Sequence, residues 1–270
     1  MSEYSLSTPF GNVPLTFDES GEGKPVLLLH GGAGPVSVSG FAELLAGRGD
    51  RVLTPVHPGF GGTARPEKLD SVRGLAEVYA GLLEELEIEN VTVIGSSIGG
   101  WVAAELALAA PGRLEGLVLL DAVGLESAEH PVADFFSLTF DQVVDLSYAD
   151  PDAYRVDLSA LPDEQKRIAA GNRDALRVYG GESMADPSLK ERLAAVSTPT
   201  LVVWGEADRM VTPAYGREYA DAIPGAGFRV IERAGHLPQI EAPDALLAVI
   251  EEFAEAGEAG GSAEAAVGKG

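Results

Sequence analysis

The sequence predicts an α/β fold in which helices cover both faces of a mostly parallel sheet. Two patterns predict it. Short, nearly continuous apolar runs bounded by Gly or Pro recur along the chain, as expected of strands buried on both faces. Between them lie segments with apolar residues at three- and four-residue spacing and charges elsewhere, as expected of amphipathic helices. Strands alternating with helices imply right-handed crossovers onto one parallel sheet.

In chain order, Tyr4–Thr8 and Val13–Phe17 alternate about Pro9-Phe10-Gly11-Asn12 and predict an opening β-hairpin. The buried strands follow as Pro25–Leu29, Arg51–Thr54, Val91–Gly95, Leu114–Leu120, Thr200–Trp204 and Phe228–Ile231. Helices are expected over Ser71–Leu86 and Ile98–Ala110, the second stopping before Pro111, which cannot continue it. Another is expected over Pro213–Ile223, with Thr212 as N-cap and Pro213 in the first turn, and a last one over Ala242–Phe253. Residues Val123–Leu193 break this rhythm. They hold no strand pattern, and Ala133–Leu138, Phe140–Leu146, Pro162–Asp174 and Pro187–Leu193 read as short helices. A stretch of that length exceeds what a crossover needs, so residues 123–193 are expected to form a helical insertion over the strand ends. Residues 1–122 and 194–256 then form the core domain, and the Gly/Ala/Glu-rich residues 257–270 are expected to be disordered.

Composition narrows the chemistry. The 270 residues carry 19 Lys+Arg against 42 Asp+Glu, a net charge of −23 that disfavours nucleic acid and anionic lipid. There is no cysteine, so disulfides, thiolate metal sites and a cysteine nucleophile are excluded together. The four histidines, His30, His57, His130 and His236, show no metal-ligand spacing. No basic-then-apolar leader and no membrane-length apolar run is visible, so the expected location is cytoplasmic.

The strongest local signal is Gly95-Ser96-Ser97-Ile98-Gly99, a G-x-S-x-G sequence between an apolar β run and a helix. A sharp strand-to-helix turn strains its central residue and lifts the hydroxyl above the sheet, while positions two before and two after press on neighbouring backbone. Ser97 is therefore the candidate nucleophile, and Ser96 a residue that lines or orients the site. A serine needs a base. His236 lies in the loop between the last strand and the last helix. His130 falls in the insertion, His57 precedes Pro58-Gly59-Phe60-Gly61 as a loop-packing residue, and His30 reads as a buried hydrogen-bonding residue. The base needs an acid to hold its tautomer. Asp208, after Thr200–Trp204, is the first choice; Glu206, nearer the strand end, and Asp121, which ends Leu114–Leu120, are its rivals. An oxyanion hole would draw one backbone N–H from Ile98 and a second from Gly31-Gly32-Ala33-Gly34-Pro35, with Gly32 first and Ala33 in reserve. That loop lacks the third glycine of a dinucleotide fingerprint, and no G-K-[ST] follows it.

With His30-Gly31-Gly32, Pro58-Gly59-Phe60-Gly61, Gly95–Gly100, Gly205-Glu206-Ala207-Asp208 and Gly235-His236 followed by Glu241 and Pro243, the chain resembles the α/β-hydrolase superfamily. The likeness spans roughly Val26–Phe253 and is to the capped branch of esterases and carbon–carbon hydrolases. It implies the α/β-hydrolase fold: a mostly parallel eight-stranded sheet flanked by helices, with an inserted helical cap and a pocket beneath the cap. It implies Ser97 as nucleophile, His236 as base, Asp208 as its orienting acid, and Gly32 and Ile98 as oxyanion donors. Gly34-Pro35 is similar to the H-G-x-G-P-G loop of meta-cleavage-product hydrolases, but Val36 and Ser96 stand where those enzymes place Gly and often Asn.

Candidate pocket residues are Ala33, Ser96, Trp101, Phe135, Phe136, Phe140, Tyr148 and Tyr154. An apolar pocket suits a small hydrophobic acyl or aromatic substrate. The expected activity is hydrolysis of such a carboxylic ester through an acyl-enzyme, without metal or organic cofactor. Carbon–carbon hydrolysis of a vinylogous diketone is the alternative, and it calls for a cation such as Arg155, Arg167, Arg173 or Arg177 to meet a substrate carboxylate. A small-molecule receptor on a hydrolase scaffold is the alternative from another class. The expected partner is a small-molecule substrate alone; the choice between monomer and homodimer stays open.

Overall fold

Eight strands hydrogen-bond in the order β1-β2-β4-β3-β5-β6-β9-β10 in a computed structural model that describes residues 2–267. The opening hairpin is β1 (Ser2–Thr8) and β2 (Gly11–Ser20), longer at both outer ends than the alternation implied. Then come β3 (Lys24–Leu29), α1 (Ser39–Gly47), β4 (Asp50–Val56), α2 (Val72–Glu85), β5 (Val91–Ser96), α3 (Ile98–Ala109) and β6 (Leu114–Leu120). Among the described residues antiparallel pairing is confined to β1–β2 and β2–β4; β4, β3, β5, β6, β9 and β10 run parallel. This is the sheet the sequence predicts.

Successive strand residues point to opposite faces, and each face has its own core. Leu27, Leu29, Val93, Leu117 and Leu119 join α2 and α3 on one side. Val26, Leu28, Ile94, Val118 and Leu120 join Phe41 and Leu45 of α1 and Leu246 and Ile250 of the last helix on the other. Helix α1 has no counterpart in the sequence reading. Its nine residues carry glycines near both ends, so its periodicity is too short to register, and packing of Phe41, Ala42 and Leu45 supplies what propensity does not.

Beyond β6 the chain departs from the sheet. It leaves through β7 (Gly124–Leu125) and returns through β8 (Ala185–Asp186), which pair with each other as Gly124↔Ala185 and Leu125↔Asp186. This two-residue ladder corrects the expectation that residues 123–193 hold no strand; a pair that short leaves no periodic signal. Between lie α4 (Phe140–Ser147), α5 (Pro151–Tyr154) and α6 (Asp163–Gly180). Helix α4 starts at a capping box in which the Thr139 hydroxyl accepts the Gln142 N–H and the Gln142 side chain accepts the Thr139 N–H. Phe135–Ser137 forms only a single 3₁₀ turn where a helix was expected, and α6 runs six residues past its expected end.

The chain closes with α7 (Leu189–Leu193), β9 (Thr200–Gly205), α8 (Pro213–Ala222), β10 (Gly227–Ile231), α9 (Pro238–Glu241) and α10 (Pro243–Val267). Helix α10 continues through most of the stretch expected to be disordered. The end of that stretch, 268–270, lies outside the described residues. Among the described residues no helix is long and apolar enough to cross a membrane.

Candidate active site

Ser97 sits in the turn between β5 and α3, with φ +55° and ψ −119°, a conformation strongly disfavoured for a residue with a Cβ. The flanking glycines make the turn possible. A Cβ on Gly95 would lie 2.2 Å from the Gly99 carbonyl oxygen, and one on Gly99 would lie 2.4 Å from that of Leu29. The Ser97 N–H donates to the Leu120 carbonyl at 2.9 Å, locking the turn to β6. Ile98 opens α3, so its N–H has no partner within the helix and adds to the positive end of the dipole.

His236 reaches Ser97 from the far side of the sheet. In the order β5-β6-β9-β10 their parent strands stand three steps apart, roughly 14 Å at about 4.8 Å per strand. The loop after β10 spans that gap by leaning over β9. A Cβ on Gly205, at the end of β9, would lie 1.9 Å from the Gly235 carbonyl oxygen, so only glycine lets the two loops meet. The result is one hydrogen-bonded series: Ser97 Oγ to His236 Nε2 at 3.0 Å, and His236 Nδ1 to Asp208 Oδ2 at 2.8 Å. Asp208 Oδ1 accepts the N–H groups of Met210 and Val211 at 2.8 and 2.9 Å, which fixes the carboxylate's orientation. Asp208 and His236 are both buried, and Ser97 is half-buried.

Neither rival acid takes the Nδ1 proton of His236, which goes to Asp208. Glu206 is exposed and accepts the Arg233 N–H at 3.2 Å. Asp121 is fully buried, and its Oδ1 accepts the Gly205 N–H at 2.8 Å. Burial and the neighbouring Asp208 carboxylate push its pKa well above the usual carboxylate range, so Asp121 is the neutral member of the pair.

Neutral imidazoles shape the loop after β3. The His57 N–H donates to His30 Nε2 at 3.0 Å, so the His30 proton is on Nδ1, where it donates to the Gly31 carbonyl at 2.8 Å. His57 Nε2 donates to the His30 carbonyl at 2.9 Å, leaving Nδ1 to accept the Tyr79 hydroxyl at 2.5 Å. All four ring nitrogens are used, and burial holds both rings neutral, His30 pushed down to about 4. The Gly31 carbonyl also accepts the Gly34 N–H at 3.0 Å. Across the planar trans peptide, the Gly32 N–H therefore points away from His30.

The candidate pocket residues divide. Tyr148 stacks on Tyr154 at 4.5 Å and follows Ser147, whose carbonyl accepts the His236 N–H at 2.7 Å. Ala33 is exposed, and Phe135 and Phe136 are half-buried beneath the Arg173 guanidinium, 4.7 and 5.6 Å from their ring centres. Three expectations need correction. Ser96 is fully buried behind the turn and accepts from Gln239 Nε2 at 3.2 Å, because alternation along β5 turns it inward. Trp101 packs in the core, where a Cβ on Gly124 would meet its ring at 2.6 Å. Phe140 opens onto an outer depression of about 500 Å³ lined by Thr139, Arg155 and Val156 among others, and by none of Ser97, Asp208 and His236. His130 is half-buried, its Nε2 3.8 Å from Glu218 and away from Ser97 and Asp208.

Two supporting residues escaped the sequence reading. Glu241 was noted only as part of a motif; its carboxylate accepts the N–H groups of Gly235 and Ala149 at 2.6 and 2.9 Å, tying the His236 loop to the end of α4. Asn172 of α6 bonds the loops after β3 and β4. A polar residue on the buried stripe with Leu176 and Tyr179 was the available signal.

This fold and this constellation define a class. The Alpha/beta hydrolase family profile matches residues 26–249, and the chain belongs to that family of hydrolases. It is 30% identical over 260 residues to a 2-hydroxy-6-oxononadienedioate/2-hydroxy-6-oxononatrienedioate hydrolase of Cupriavidus pinatubonensis, covering 87% of this chain and 89% of that one. It is 30% identical to a 2-hydroxymuconate semialdehyde hydrolase of Pseudomonas putida, covering 87% and 88%. A thermophilic esterase from Thermogutta terrifontis superposes with a TM-score of 0.77 at 26% identity, covering 95% of this chain and 99% of that one.

Proposed function

We propose that the chain is a serine hydrolase that cleaves a small, largely apolar carboxylic ester through an acyl-enzyme on Ser97. The hydrogen-bonded series Ser97–His236–Asp208 carries this reading. His236 Nε2 takes the Ser97 proton as Oγ bonds to the ester carbon and the carbonyl electron pair moves onto oxygen. The N–H groups of Ile98 and Gly32 hold that oxyanion. On collapse the carbon–alkoxy bond breaks, and the leaving alcohol takes the proton from His236. Water then attacks the acyl-enzyme, passing its proton through His236 to Ser97. Asp208 keeps the Nδ1 proton in place and balances the imidazolium charge.

A neutral substrate fits the charges around the site. Arg173 donates to the carbonyls of Phe135, Phe136 and Leu138, Arg177 pairs with Glu182, and Arg155 pairs with Asp141 and Asp145. Arg167 is exposed on α6.

The test combines labelling with a substrate series. A fluorophosphonate should add one phosphonyl group, at Ser97, and p-nitrophenyl esters of short acids should turn over. Ser97→Ala should lower kcat by at least about a thousandfold. An unlabelled Ser97 in folded protein sinks the assignment. The relatives named as dienedioate and semialdehyde hydrolases support a second reading, carbon–carbon hydrolysis with the same three residues. Loss of the dienoate chromophore from a meta-cleavage product, faster than ester turnover, favours it. Tight binding of small molecules with turnover of neither substrate favours a receptor.

A further inference from the structure

Helix α6 turns one face onto two loops of the core. Asn172, Leu176 and Tyr179 lie along it at helical spacing, and all three are buried. Asn172 Nδ2 donates to the Ala33 carbonyl at 3.1 Å, and its Oδ1 accepts the Gly61 N–H at 2.8 Å. The Leu176 methyl Cδ2 would lie 2.9 Å from a Cβ on Gly32. The Tyr179 hydroxyl donates to the Pro58 carbonyl at 2.9 Å. From the core side, the Gly31 carbonyl is held by His30 Nδ1–H and the Gly34 N–H. The turn Gly31–Gly34 is thus gripped from both sides, by an imidazole below and an amide above.

We infer that Asn172 is a positioning residue: it holds the Gly31–Gly34 turn in the shape that presents the Gly32 N–H to the oxyanion, so the hole is complete only while α6 is docked. The inference rests on the serine-hydrolase reading proposed for Ser97. The centre of the turn is Gly32 and Ala33, and a glycine there leaves the peptide free to rotate once its anchor is lost. An amide suits the anchoring position because one planar group offers a donor for the Ala33 carbonyl and an acceptor for the Gly61 N–H. A carboxylate would satisfy Gly61 and oppose Ala33.

The experiment compares Asn172→Ala and Asn172→Asp with the parent chain on a p-nitrophenyl ester, below the melting transition of each. Misplacing a catalytic donor by about 1 Å costs up to about a hundredfold, so kcat/KM should fall about tenfold to a hundredfold in both variants. Affinity for an alkylboronic acid, which forms a tetrahedral adduct on Ser97, should fall in parallel. The inhibition constant of the product alcohol should change by less than about threefold. Asn172→Asp keeps the shape of the side chain, so it reports on the lost donor even where the alanine variant folds poorly. Boronate and alcohol affinities that fall together, or a kcat/KM within twofold of the parent, would overturn the inference. If the parent itself binds no boronate and Ser97 takes no label, the serine-hydrolase reading has failed instead.

Discussion

The carboxyl groups of Asp121 and Asp208 lie side by side in the interior, and only Asp208 binds His236. Two buried carboxylates this close cannot both ionise, and the structure divides their roles through different partners. Asp208 receives two backbone N–H groups and the imidazole, while Asp121 receives the single N–H of Gly205. Asp121→Asn should therefore keep kcat/KM within about threefold, and Asp208→Asn should lower kcat by about 10⁴-fold through loss of the correct tautomer. Stability gives a second readout. A carboxyl with a raised folded pKa stabilises fully below its unfolded value near 3.9, and that contribution is lost as pH rises toward the folded value. The melting temperature of Asp121→Asn should match the parent near pH 3.5 and exceed it increasingly toward pH 7. A gap that does not widen with pH would place an ionised group at 121.

Strain at the elbow predicts an opposition between activity and stability. Ser97 holds φ +55° and ψ −119°, which glycine adopts freely. Ser97→Gly should be more stable than Ser97→Ala by about 1–3 kcal/mol in urea unfolding, with both inactive. Equal stabilities would mean that the turn costs nothing.

Glu241 supplies an acceptor to two N–H groups from separate segments. Glu241→Ala leaves both unsatisfied and should cost about 1–3 kcal/mol per N–H that finds no water. Because Gly235 precedes His236, the proposed base, kcat should fall as well. Glu241→Gln, which keeps one acceptor, should recover part of both losses, and parallel melts and ester assays on the two variants check this.

Acid should unfold the chain partly through His30. An unfolded imidazole takes its proton near pH 6.5, whereas folded His30 resists to about 4. Between those values the unfolded chain binds more protons, so stability falls as pH falls, by about 3 kcal/mol across the window. His57, also pushed down by burial, acts in the same direction. His30→Asn loses hydrogen bonds and is less stable throughout, yet its stability should depend less steeply on pH between 6.5 and 4. An unchanged slope would mean that His30 is already charged in the folded state.

Much of this site is legible in sequence because strand ends and loops announce themselves. Gly95 and Gly99 flank Ser97 for a steric reason that spacing expresses directly, and a loop histidine after the last strand has few other tasks. The preference for Asp208 over Asp121 comes from its place after Thr200–Trp204 and from the chain order Ser97…Asp208…His236, whereas the hydrogen bonds that set the two carboxyls apart lie in three dimensions. Asn172 and Ser96 were less readable. Whether a polar side chain faces a pocket or a backbone carbonyl depends on how α6 and β5 are turned, which periodicity constrains to a face and not to a partner. The β7–β8 ladder and α1 are too short for periodicity to detect, so packing defines them.

Ser97 and His236 stand 139 positions apart in the chain while sharing one hydrogen bond. During synthesis the serine turn leaves the ribosome with β5 and α3 and can pack early, since its locking partners lie in β3 and β6. The imidazole arrives only after β9 and β10 have been made. A fragment cut between β6 and β10 would therefore keep the locking partners of the turn and lack the imidazole that faces Ser97. On the proposed mechanism hydrolytic competence waits for the C-terminal third to dock, so the onset of ester turnover would time that docking.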